Sequence, residues 1–593
     1  MAKLRGADII VDTLIKENVP YLFGVMGHGV YGLMDVLSER RDEIKTVGVH
    51  HEQVAGHMAD AYFRIAHRPV ATYTSCGPGS ANIPIALANA MMDDSAFLAI
   101  TGNVATNQFS RGTFQEVHHH YQADFPTTIR PYVKRSFQAT RPEMLPLMMR
   151  QAFTTMLTGR PGPVNVDVPY DVFLEQVEVD VPDSALWRKG IDTRPGASAE
   201  AVERTLDELT RAIRPVILVG NGATLSEASK EVRALAEALN IPVAYSPQGI
   251  GVMDADHALT LGSVGRDGGY PGNEATSTAD VLLALGAEFD DRAASSWIPR
   301  YTFTIPPTKL IQVDIDEAAI GRNYPVHIGL NADVRTFLRQ LLALHKDGGG
   351  GARSEWIKEV TAWKAEWAAY NEKRYRPDAK PIDPEHILRT IRRVLPRDGI
   401  LAVDVGSHHT WVTSRWEAYL PQTVVQAWGY GAMAFGAAGA LGAKLAAPDK
   451  PVVALCGDGG FGMVPHVLAT AVEYHIPVTW VIWNNGGLGV VRPDGTSRYT
   501  SRWMHHPTGE SLPPDYAAIA RAYGAAGIRI EAPDQLGDAL KQAIQSNHPT
   551  VLDVQVDPQR TRVGVTGWWM PPTPPTKPEY PRASFRDRAT GQF

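Results

Sequence analysis

Apolar runs of about six to eight residues recur along the chain, many rich in Val and Ile, and each stops at Gly, Asn or Asp. PVVALC ends at Gly457-Asp458-Gly459, and IPVTWVIW ends at Asn484-Asn485. Runs of this length bounded by small polar residues predict buried strands. Between these two, Val467, Leu468, Ala471, Val472 and Tyr474 recur at helical spacing. Pro465 suits the first turn of that helix, where its missing N–H costs nothing. The stretch therefore predicts a strand–helix–strand unit with parallel strands and a right-handed crossover. Both strands then end at the same edge of the sheet, where open α/β folds bind ligands.

The same pattern predicts an α/β chain of three doubly wound parallel-sheet domains. Residues 1–185 hold the strand-like segments YLFGVMG, RPVATYTSCG, AFLAITGN and GPVNVDVP. Residues 195–345 hold RPVILVGNG, IPVAYSPQG, ADVLLALGAEFDD and TKLIQVDID, with a helix through EVRALAEALN. Gly348 to Gly351 mark a linker. Residues 355–562 form the third unit. Residues 563–593 are a tail rich in Pro and aromatics, which predicts no fold element but could act as a lid over a site.

Composition narrows the function. At 593 residues, the chain is too long for a single core. A net charge of −7 without a basic cluster argues against nucleic acid or an anionic membrane as partner. Two cysteines and no apolar segment of spanning length predict a cytoplasmic protein without a disulfide framework.

The chemistry sits at the strand ends. Asp458 and Asn485 would converge, both offering oxygens, beside a helix start with free N–H groups. Hard oxygen ligands next to an anion-binding helix start suit Mg²⁺ held to a phosphate, so the residues predict a diphosphate site. In the first unit, VGVHHEQVAGHMADAY sets Glu52 after an apolar strand, at the start of a small-residue helix. The dipole alone would favour an acid there. The functional reading is a carboxylate in an apolar pocket, its pKa raised so that it can share a proton.

The GDG…NN frame, taken with HEQVAGHMADAY, resembles thiamine-diphosphate (ThDP) enzymes, nearest to the acetolactate-synthase-like group. That group includes pyruvate oxidase, benzaldehyde lyase, sulfoacetaldehyde acetyltransferase and the oxalyl-CoA decarboxylase and 2-hydroxyacyl-CoA lyase branch. TSCGPGSAN, GTFQEV, RPGPVNVDVP, GAEFDDR, DVGSHHTW and GYGAMAFGAAGALGAK carry the likeness across nearly the whole chain. The resemblance implies a pyrimidine-binding first domain, a middle domain and a diphosphate-binding third domain. Asp458, Asn485 and the Gly487 carbonyl would hold Mg²⁺. Gly457, Gly459 and Gly460, with Gly406, Ser407 and His408, would hold the diphosphate. Met433 and the Gly431 backbone would wedge the cofactor into its bent form. Glu52 would hydrogen-bond the aminopyrimidine and promote a C2 ylide that attacks a carbonyl. In this family Glu52 reaches a cofactor held by a second subunit, so a homodimer is the minimum and a homotetramer is expected.

Gln115 matches the family's active-site glutamine. His28 sits where the substrate pocket is lined, and His120, in the run His118–His120, is the third candidate for proton transfer. Relatives use the middle domain for FAD, ADP, the ADP part of CoA, or nothing. Arg492 is followed here by Pro493-Asp494 where acetolactate synthases carry Gln-Trp, and Tyr170 replaces their lysine. The leading expectation is a 2-oxo acid decarboxylase or carboligase. A 2-hydroxyacyl-CoA lyase, with an acyl-CoA substrate, is the alternative. A non-catalytic paralogue would have lost Glu52 or Asp458, and both are present.

Overall fold

The computed structural model describes residues 2–116, 124–183, 186–187, 194–345, 353–490, 514–558 and 560. Within them, three six-stranded sheets follow one another along the chain, and every strand pair in them is parallel. The apolar runs become strands covered on both faces by helices, so they read as continuous rather than alternating. Val164–Pro169 and Thr479–Asn484 are buried along their whole length.

The first sheet runs in the order Lys45–Gly48, Tyr21–Gly24, Ala71–Thr74, Leu98–Asn103, Val164–Pro169, Arg135–Gln138. The third repeats this winding with Val424–Gln426, Ile400–Val403, Val452–Gly457, Thr479–Asn484, Thr550–Gln555 and Ala526–Ile530. The middle sheet winds differently: Thr260–Ser263, Val243–Tyr245, Pro215–Val219, Val281–Leu285, Lys309–Asp314, Ile328–Asn331. Each order has a central point where the chain, having laid its first strands to one side, crosses to lay the next ones on the other. These points lie beyond Gly24 and Thr74, beyond Val219 and Leu285, and beyond Val403 and Gly457. Doubly wound sheets bind ligands there.

The first and third domains share one apolar core. Helix Glu52–Ala66 packs on helix Phe435–Ala446 so closely that a Cβ on Gly442 would stand 1.9 Å from the Met58 carbonyl oxygen. Only glycine permits that approach. The Arg64 guanidinium covers the Phe435 ring at 4.7 Å from its centroid. A short antiparallel pair, Ala2–Arg5 with Gln176–Val179, ties the two ends of the first domain together.

Two expectations are corrected. The single helix between Gly457 and Asn484 is two short ones, Asp458–Met463 and Val467–Glu473. Because the first begins at Asp458, Pro465 would fall in a helix interior, where it has no N–H to give and disfavours helical backbone at Val464. The helix that opens the third unit in sequence, Ser354–Arg374, packs on the middle domain instead. Trp356, Trp363 and Trp367 share its buried face, and Trp356 Nε1 donates to the Pro215 carbonyl at 3.1 Å. The Gly348–Gly351 linker, the Arg492–Asp494 segment and the Pro/aromatic tail lie outside the described residues. No described helix is long and apolar enough to cross a membrane.

Candidate active site

At the third sheet's switch point, pairing of Gly457 with Trp483 brings the two strand ends level, so Asp458 and Asn485 emerge side by side. Asp458 is 5% exposed. Its Oδ2 accepts from the Gly487 N–H and its Oδ1 from the Gly459 N–H, each at 2.8 Å. Gly489 lies between Asn485 Nδ2 and Ser407 Oγ, which brings in Ser407 from the neighbouring strand end. The Met433 and Leu488 side chains close over Gly459. Gly431 turns with φ 71°.

The candidate donors, Asp458, Asn485 and the Gly487 carbonyl, would offer one carboxylate, one amide oxygen and one backbone carbonyl, all hard oxygens. Among the described residues no three His, Cys, Asp or Glu gather into a metal cage. That donor set fits Mg²⁺, which binds through one or two carboxylates and takes its remaining ligands from phosphate and water. His408 lies beneath this edge, 1% exposed, against Gly406, Gly457 and Trp483. Burial pushes its pKa down to about 4, so the ring is neutral and forms the floor of the turn.

Two residues here escaped sequence reasoning. Asp404, fully buried, accepts from the N–H groups of Val405 (2.8 Å) and Ala434 (3.1 Å), which fixes the left-handed turn following Met433. Burial raises its pKa to about 7. The Tyr516 hydroxyl donates to the Asp458 carbonyl at 2.8 Å. Asp404 opens the DVGSHHTW segment, which carried the family likeness without giving the aspartate a role, and Tyr516 lies in no such segment.

At the first sheet's switch point, Glu52 opens its helix and is 7% exposed. Asn82 Nδ2 donates to Glu52 Oε2 at 2.9 Å. Oε1 stands over Gly79, where a Cβ would meet it at 3.1 Å. One oxygen is therefore fixed and the other faces a bare stretch of backbone. Ser75 continues the edge towards His28, its hydroxyl accepting from the Gly29 N–H at 3.2 Å.

His28 and Gln115 do meet, and Cys76 joins them. Its Sγ lies 3.5 Å from His28 Nε2 and donates to Gln115 Oε1 at 3.6 Å. Burial raises the thiol's pKa, so the sulfur keeps its proton for that bond. Gln115 adopts φ 65°, and Phe114 stacks on His28 at 6.1 Å. The Glu116 carboxylate holds this loop by accepting from the Ser110, Gly112 and Thr113 N–H groups. His118, His119 and His120 lie outside the described residues.

The fold and these two edges define a three-domain thiamine-pyrophosphate enzyme, and comparison with known proteins agrees. Residues 4–123 match the N-terminal TPP-binding domain of thiamine pyrophosphate enzymes, 202–341 their central domain and 404–554 their C-terminal TPP-binding domain. The chain belongs to that family and is a thiamine-diphosphate-dependent enzyme. Among its relatives it is 33% identical over 569 residues to a probable acetolactate synthase large subunit of Methanocaldococcus jannaschii, covering 94% of this chain and 92% of the relative. It is 32% identical over 562 residues to the acetolactate synthase isozyme 3 large subunit of Escherichia coli, covering 94% and 96%. The large subunit from Corynebacterium glutamicum is 32% identical over 563 residues, covering 93% and 86%.

Proposed function

We propose that this enzyme decarboxylates a 2-oxo acid and joins the remaining fragment to a second carbonyl compound, using ThDP and Mg²⁺ in the cytoplasm. The observation that carries this reading is Glu52, a buried carboxylate with one oxygen anchored by Asn82 and the other free to meet a ligand. When bound, ThDP supplies an acidic thiazolium C2 position and an electron sink for the breaking C–C bond. Glu52 holds or releases a proton at the aminopyrimidine ring. Asp458, Asn485 and the Gly487 carbonyl hold the cation. Ser407 and the Gly460 amide would hold the diphosphate, the Gly459 amide being taken by Asp458, and Met433 with Leu488 would pack against the cofactor. His28 and Gln115 orient the substrate carboxylate and carbonyl.

The helix geometry supports completion of the site by a second copy. Ala432 donates to Asn89, whose amide donates in turn to Asp60, so the Met433 turn sits at the Asp60–Arg64 level of its own first domain. Glu52 lies eight residues earlier on that helix, about 12 Å away at 1.5 Å per residue. A pyrimidine wedged at Met433 is out of reach of its own chain's Glu52. A homodimer that exchanges these edges satisfies both, and a homotetramer is a pair of such dimers.

The test is proton exchange at C2 of bound ThDP, followed by NMR, in Glu52→Gln. Exchange should slow by about 10²- to 10⁴-fold, the size of a general acid–base contribution, while ThDP still binds. Exchange at the unmodified rate would remove Glu52 from this role. A panel of 2-oxo acids, read by CO₂ release and by ligated product, then identifies the substrate.

A further inference from the structure

The middle domain has its own switch-point crevice, and its chemistry differs from that of the other two. It lies beyond Val219 and Leu285 and encloses about 150 Å³, lined by charged residues that include Asp94, Arg160, Arg194, Glu288, Asp314 and Asp333. A nucleotide there would need free amides at the Gly220–Gly222 turn to hold its phosphates. The two glycine amides of that turn are spent inside the protein. The Gly220 N–H donates to the Leu285 carbonyl and Gly222 to the Gly286 carbonyl, both at 3.0 Å, and Ala223 donates to Gly220 at 3.2 Å. The glycines serve this packing, because a Cβ on Gly220 would stand 2.2 Å from the Gly286 oxygen.

The charges point the same way. Four of those six side chains are carboxylates and two are guanidiniums. Arg160 is already committed: its Nε meets Asp94 at 2.8 Å, and its two other nitrogens meet Glu288 and Asp316 at 3.6 Å each. Arg194 donates to the Ser226 carbonyl at 2.6 Å and pairs with Asp333 at 3.5 Å. Burial, with the Asp94 charge adding to it, pushes the Asp314 carboxyl up to about 6, against the Asp316 N–H and Arg160, which pull it down. The crevice already resists its own negative charge, and a diphosphate would bring more. Its volume is also below the roughly 300 Å³ at which drug-sized ligand pockets begin.

We propose that the middle domain binds neither FAD, ADP nor the nucleotide of CoA, and that its crevice is closed by an ion-pair strut from Arg160 and Asp94 of the first domain to Glu288 and Asp316 of the middle one. This rests on the ThDP reading above and narrows it: an acyl-CoA substrate loses the seat for its nucleotide, which leaves the 2-oxo acid. The residues therefore do not fit a middle-domain dinucleotide, and no step of the reaction passes through one.

The experiment uses the full-length enzyme with ThDP and Mg²⁺. Acid-released nucleotides are separated by chromatography, and FAD, ADP and CoA are each titrated by calorimetry. The expected result is no bound flavin or adenine nucleotide and no saturation up to about 1 mM, while ThDP saturates in the same sample. One nucleotide per chain, or saturation well below that concentration, overturns the proposal. If ThDP also failed to bind, the ThDP reading would fall by itself and the proposal with it. The strut is tested by Arg160→Ala and Glu288→Gln: both should lower the unfolding midpoint and leave the nucleotide titrations blank. A midpoint unchanged in both variants overturns the strut.

Discussion

Asp93 is where the three domains meet. It is 3% exposed, and four donors converge on its carboxylate. Oδ1 accepts from the Gly429 N–H and from Gln248 Nε2, each at 2.6 Å. Oδ2 accepts from the Trp428 N–H at 3.0 Å and from Arg64 Nη2 at 2.9 Å. Asp93→Asn keeps the shape, but whichever oxygen becomes NH₂ loses two donors and confronts them with a third. Hydrogen bonds to a charged group contribute about 1.5–3 kcal/mol each, and breaking a buried pair costs about 3–5 kcal/mol. Arg64 retains Asp60 at 2.7 Å, which puts the expected loss near 3 kcal/mol. Of the two loop amides on this carboxylate, Gly429 on Oδ1 and Trp428 on Oδ2, one would then be lost, and the Trp428–Met433 loop would keep the other and the 3.4 Å bond from Ala432 to Asn89. If half of that loss falls on the loop, ThDP affinity drops about tenfold. Urea unfolding and calorimetric titration with ThDP at saturating Mg²⁺ measure both. Asp94→Asn is the control, since Asp94 pairs with Arg160 and does not hold the loop. A loss below about 1 kcal/mol with unchanged ThDP affinity would show that Asp93 does not organise the Met433 turn.

Asp458→Ala should abolish the Mg²⁺ dependence of ThDP binding, and tight Mg²⁺-dependent binding by the variant would refute the oxygen set. Cys76→Ala should raise KM for the 2-oxo acid about fivefold, the ~1 kcal/mol of one hydrogen bond, without changing ThDP affinity. Cys76→Ser should restore it; equal loss in both variants would leave only packing. Stability should also depend on Asp167, which is fully buried, accepts from Thr101, Asn103 and Gln138, and is pushed up to about 6 by burial. Its folded pKa lies above the unfolded one, so its contribution is fully present below about pH 4 and is lost as pH rises through 6. The slope is at most about 1.4 kcal/mol per pH unit. Urea midpoints between pH 4 and 7 should fall with this contribution added to those of Asp314 and Asp404, and Asp167→Asn should make the fall shallower.

The parts legible in the sequence are those set by local pattern. Uninterrupted apolar runs identified strands buried on both faces, and the GDG and NN ends marked where a parallel pair brings Asp458 and Asn485 to one edge. The rest depends on contacts between distant segments. Asn82 orients Glu52 from 30 residues away, Cys76 reaches Gln115 across 39, and Tyr516 reaches Asp458 across 58. Periodicity carries no information at those separations. The Ser354–Arg374 helix was misplaced for the same reason: its tryptophans reveal a buried face but not which domain buries it. Topology then supplies three equivalent crevices, one per sheet, and a few side chains decide what each can hold. In the third, one carboxylate among neutral oxygens and backbone amides suits a cation carrying a diphosphate. In the first, an anchored Glu52 beside His28, Cys76 and Gln115 suits proton transfer and substrate orientation. In the middle, Glu288 lies within GAEFDDR, a segment that resembles the family, yet its charge completes the set that holds Arg160 and keeps phosphate out. Resemblance located that crevice; the electrostatics of its lining determine that it stays closed.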